Sequence, residues 1–147
     1  MRRAMYAFAT FATLASLSSR AVAADTQPEL TGFVGSWAQS GGTGGWAIQI
    51  ASNGLHVTQT EGAATVADFD CATDGHDCNV KVSGHPAKVS MYFNGPALIE
   101  LETRGAQVVK RRFALDGQSL KITVTQMTGR VQTQELQFDR RQSAQNR

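Results

Sequence analysis

A turn signal interrupts this chain about every ten residues from Phe33 onward, and that interval sets what it can fold into. The signals are "SNG" (52–54), "EG" (61–62), "TDG" (73–75), "SGHP" (83–86), "NGP" (94–96), "RG" (104–105), "DGQ" (116–118) and "TGR" (128–130). Each holds a glycine, the residue that tight hairpins use where the backbone must take positive φ. Between them the polarity alternates. "WAIQIA" sets Trp46, Ile48 and Ile50 on one face, "KVSMYF" does so with Val89, Met91 and Phe93, and "LKITVT" with Leu120, Ile122 and Val124. A period of two with one wet and one dry face is the pattern of an antiparallel sheet. The spacing predicts strands over 34–39, 46–51, 55–60, 63–71, 78–83, 87–93, 97–103, 107–115, 119–127 and 131–138. No sustained helical stripe follows residue 23, so no helix is expected there. Hairpin-length links imply an up-and-down order, and such a sheet hides its edges best by closing on itself. The expected fold is therefore all-β, an antiparallel up-and-down barrel of about eight to ten strands.

The segment before this pattern has another character. Arg2 and Arg3 precede an uncharged apolar run from Tyr6 to Leu17, and Ala21-Val22-Ala23 has the small residues of a cleavage site. That order reads as a secretory signal peptide over 1–23, with a run too short for a spanning helix. Cleavage would leave one domain over 33–140 between disordered tails at 24–32 and 141–147, placed in the periplasm or outside the cell. It would also remove Arg2, Arg3 and Arg20, so that eleven basic residues face twelve acidic ones. The mature chain then offers no global electrostatic reason to bind nucleic acid, and no segment to insert in a membrane.

Cys71 and Cys78 are the two cysteines. In an oxidising compartment an even count suggests a bridge closing "CATDGHDC". The alternative is a metal held by both thiols and His76, a spacing unlike the common zinc patterns. "GGTGG" (41–45) lacks the lysine and following helix of a phosphate loop and reads as a link between the first two strands.

The two ends of the domain can now be read together. Gly35-x-Trp37 resembles the Gly-x-Trp signature of lipocalins and the wider calycin group. At the other end Leu136, Phe138 and Arg140 share a face, with Arg140 in phase to point inward. The resemblance implies that Arg140 packs over Trp37, gaining cation–π attraction and stapling the first strand to the last. "TDGHDCNVKVSGHP" and the strands after it are similar to small secreted bacterial lipocalin-like domains of uncharacterised function. The chain departs from that group at Cys78, where a tyrosine is usual, and in its short glycine link.

A barrel of this size is either filled by side chains or holds one small ligand. If Val109 and Phe113 face inward, so does Arg111; Gln126 shares a face with Ile122, and Gln59 with Val57. A buried Arg111 would need an anionic head group or an internal carboxylate beside it. The alternative is a register shift at "VVKRRF" that leaves it at the rim. Trp46 either lines the mouth or is core. Trp46, Arg111 and Gln126 are thus the candidate ligand-binding residues. His56 alternates with Leu55 and Val57 and is expected in solvent, Tyr92 on the outer face, and Glu100 and Glu102 on the wet side of their strand. No catalytic residues are assigned: there is no Gly-x-Ser-x-Gly elbow and no paired-histidine metal motif. Nothing calls for a cofactor. The leading expectation is non-catalytic binding of a small, largely apolar molecule; the other is a protein-binding module, such as a periplasmic inhibitor, that presents the 71–78 loop.

Overall fold

The computed structural model describes residues 28–142. The expected signal peptide over 1–23 lies outside them, as do 24–27 and 143–147 of the expected tails. A short helix α1 (Pro28–Phe33) leads into ten strands: β1 (Gly35–Gln39), β2 (Gly44–Ala51), β3 (Gly54–Glu61), β4 (Ala64–Cys71), β5 (Asp74–Val82), β6 (His85–Asn94), β7 (Ala97–Arg104), β8 (Gln107–Asp116), β9 (Ser119–Gln126) and β10 (Gln132–Arg140). All neighbours pair antiparallel, and β1 meets both β2 and β10, so the sheet is a closed barrel. Among the described residues no helix is long and apolar enough to cross a membrane.

The core follows the alternation. Ile48, Leu55, Val57, Met91, Leu98, Phe113, Leu120, Ile122 and Phe138 are almost fully buried inside the barrel. Where the turns lie, the strands reverse as expected, with one shift: the turn before β5 sits at 72–73, and Asp74-Gly75 belongs to an irregular stretch of the strand itself.

One junction is thin. β4 and β5 share a single ladder pair, Ala67↔Val82. Four residues along the same register, Cys71 stands opposite Cys78, and the two form a disulfide with Cα atoms 5.7 Å apart. The bridge is thus a covalent rung in a seam short of hydrogen-bonded ones. Beside it Gly54, at φ 146°, lets β3 begin against the Cys71 carbonyl, a space that a Cβ would fill.

Three expectations need correction. Helix α1 forms where a tail and no helix were expected. Six residues are too few to show a helical stripe, and tertiary contact holds it: Phe33 is buried and its ring lies 6.1 Å from Phe93. Ile50 was placed on the dry face, yet it is 58% exposed, although its register partner Leu55 on β3 is fully buried. Glu100 and Glu102 were placed on the wet side and are only 2% exposed. Ile99, on the opposite face, is buried as well. With both faces of β7 covered, alternation alone does not tell inside from outside.

Candidate ligand cavity

The barrel has a plugged end and an open end. At the plugged end the Trp37 indole donates Nε1–H to the Phe33 carbonyl at 2.9 Å. The Arg140 guanidinium carbon lies 4.2 Å from the Trp37 ring centre. Its Nη1 donates to the Val34 carbonyl at 2.6 Å and its Nη2 to the Gly32 carbonyl at 2.9 Å. Gly35 explains the glycine of the Gly-x-Trp pair: a Cβ there would stand 2.5 Å from Arg140 Nη1, and its φ of 140° also disfavours a side chain. β1, β10 and the exit of α1 therefore meet at one cation.

Toward the open end, β8 carries Val109, Arg111 and Phe113 inward. Register pairs Arg111 with Glu100, and Val109 with Glu102. Both carboxylates reach the same nitrogen: Arg111 Nη1 donates to Glu100 Oε1 and to Glu102 Oε2, each at 2.6 Å. Arg104 Nε lies 2.7 Å from Glu102 Oε1, an ion pair out of line for a hydrogen bond. Glu100 Oε2 is buried and accepts no hydrogen bond among the described residues. Burial pushes the Glu100 pKa above the ordinary glutamate range despite the pull of Arg111. Burial works the other way on Arg111, but the two glutamates outweigh it and hold its pKa above the usual arginine value. The cation is thus firmly charged, and of its two partners Glu100 has a raised affinity for a proton.

Arg111 also borders a cavity of about 340 Å³. Trp46, Ile122, Val124, Leu136 and Phe138 form its apolar wall. Gln59, opposite Trp46 in the register, and Thr43, Glu61 and Gln134 add polar groups to the lining. The Arg111 guanidinium carbon is 5.8 Å from the Trp46 ring centre, and Trp46 packs edge-on against Phe113 at 5.1 Å. The structure therefore brings Trp46 and Arg111 together. Gln126 does not join them: it sits two residues further along β9, donates to Thr128 Oγ1 at 3.4 Å and borders a separate depression with Gln132 and Gln134.

The remaining singled-out residues are elsewhere. The disulfide consumes both thiols, and His76 pairs with Asp74, its Nδ1 3.1 Å from Oδ2. His56 lies on the outer face with its two ring nitrogens against Asp70 at 2.7 Å and Asp68 at 2.9 Å. The Asp70 hydrogen bond raises its pKa. Tyr92 is half-buried opposite Ile99.

Sequence reading missed Glu100, Glu102 and Arg104 as members of the interior cluster. The signal was present in the hairpin. A two-residue turn at 105–106 forces Arg104 opposite Gln107, and counting back places Glu100 opposite Arg111.

No protein-family model matches the sequence, and no curated protein does. Solved structures do match. The fold is similar to a SAHS (abundant heat soluble) protein from Ramazzottius varieornatus, with a TM-score of 0.65 and 12% identity over 75% of this chain and 96% of that one. It is similar to the Schistosoma mansoni fatty acid binding protein in complex with arachidonic acid, with a TM-score of 0.62 and 16% identity over 78% and 99%. The fluorescent protein UnaG matches with a TM-score of 0.59 and 12% identity over 76% and 99%. At these identities the likeness is one of fold, a closed ten-stranded antiparallel barrel.

Proposed function

We propose that this chain is an exported, non-catalytic binding protein that holds one small, largely apolar molecule inside the barrel, against Trp46 and Arg111. The observation that carries this reading is the cavity: about 340 Å³, walled by aliphatic and aromatic side chains, with a buried guanidinium at its edge. Small-molecule sites have this make-up, an apolar cup with a few placed polar groups, and the volume is at the low end of their range. The similar fatty acid binding protein was solved with a lipid, which agrees with a ligand in a barrel of this shape. The Cys71–Cys78 bridge suits an oxidising compartment.

The test is a titration with N-phenylnaphthylamine, an uncharged probe that brightens in apolar surroundings. Saturable one-to-one brightening is expected. It should be lost in Val124→Trp, which fills the cavity, while far-ultraviolet circular dichroism still reports a barrel. Absence of saturable brightening in the wild-type protein overturns the reading.

A further inference from the structure

The state of Arg111 narrows the ligand class, an inference that rests on the binding reading above. A barrel that holds an apolar carboxylate needs a cation with charge to spare. Arg111 has none: two carboxylates already lie 2.6 Å from its Nη1. They are 2% exposed, so water does little to screen them. Arg104 also lies against Glu102, so the cluster sets two carboxylates against two guanidinium groups and leaves neither cation unmatched. Glu61, an exposed residue of the same lining, adds a further negative charge. A carboxylate entering this cavity loses its hydration, meets a neutralised cation and stands beside like charge. That combination is unfavourable on each count.

An uncharged polar head meets the opposite situation. Arg111 uses only Nη1 on the glutamates, and its guanidinium has further N–H donors beside the cavity. A neutral acceptor can take such a hydrogen bond without disturbing the internal charge balance. We infer that the cavity is selective for an uncharged amphiphile, an apolar chain or ring with a hydroxyl or amide head, and that Glu100 and Glu102 are the specificity-determining residues that reject the corresponding carboxylate. The selectivity is built from inside the wall, by cancelling the charge that an anion would seek, and not by a clash at the mouth.

The experiment is competition at neutral pH. Octanol, octanamide and octanoate are each used to displace bound N-phenylnaphthylamine from the wild-type protein and from Glu100→Gln/Glu102→Gln. Expected is displacement by octanol or octanamide at concentrations at least about tenfold below those of octanoate in the wild type. In the double variant that ratio should fall by about tenfold or more, toward octanoate. If the double variant fails to fold, Glu102→Gln alone carries the same prediction in direction. Octanoate displacing the probe as well as octanol in the wild type overturns the inference and leaves the binding reading intact. A ratio unchanged in a folded variant overturns the assignment to the glutamates. A wild-type protein that takes up no probe overturns both.

Discussion

Two tryptophans stand opposite each other on β1 and β2, Trp37 and Trp46, and each has an arginine near its ring. The two arginines are held in opposite ways. Arg140 is exposed and needs only the carbonyls of Gly32 and Val34. Arg111, with a side chain 11% exposed, is held by two full carboxylates. The difference follows from where solvent ends. At a wet rim, dipoles and an indole face suffice for a cation. Inside the wall, only opposite formal charge offsets the lost hydration. The same residue type thus serves as an exterior clasp in one place and as part of an interior, self-neutralised cluster in the other.

The contrast predicts unequal consequences of removing each cation. Arg111→Met should lower stability by about 3–5 kcal/mol, since it strands two buried carboxylates. Urea unfolding measures it, and adding Glu100→Leu and Glu102→Leu should return most of the loss. A small effect of Arg111→Met would break the comparison. Reduction of the Cys71–Cys78 bridge should cost about 2.5 kcal/mol by chain entropy, and that loss should add to the loss from Arg140→Ala, because the two sites share no partners. Arg140→Ala should itself cost about 1–2 kcal/mol, for two charge-assisted hydrogen bonds and an exposed cation–π contact. The last prediction concerns pH. Burial raises the Glu100 pKa in the folded state, so folding favours its protonated form. Its contribution to stability is full below the ordinary glutamate pKa and is lost as pH rises through the raised one. Unfolding midpoints measured across that interval should fall for the wild type and stay flatter for Glu100→Gln.

The strands were legible because two independent signals agreed, alternation and turn chemistry. "DGQ" and "NGP" mark reversals, and the residues on either side change face in step. The partnership of Arg140 with Trp37 came from resemblance, since the residues lie at opposite ends of the domain and no local rule connects them. Arg111 was legible only as a condition: inward if Phe113 is inward, and then in need of a carboxylate. Its partners were misplaced because a charged residue alternating with Ile99 and Leu101 reads as solvent-facing when one face of a strand is wet. β7 has no wet face near its middle. Helix α1 was illegible for a different reason. Its stability comes from the packing of Phe33 against Phe93 and from the contacts of its exit with Trp37 and Arg140, partners that "PELTGF" alone does not reveal.

The clasp at Arg140 also has a consequence for the order of events in folding. Arg140 and the Val34 carbonyl it holds are 106 residues apart in the chain. Hairpins from β2 to β10 can form from near neighbours, but the joint between β1 and β10 must wait for almost the whole domain, and closing so long a loop costs entropy before any contact rewards it. During synthesis, β1 therefore leaves the ribosome with one edge unsatisfied and keeps it so until β10 has been made. A chain halted before β10 holds nine strands and no barrel, with both borders of its sheet open to whatever strand it meets first.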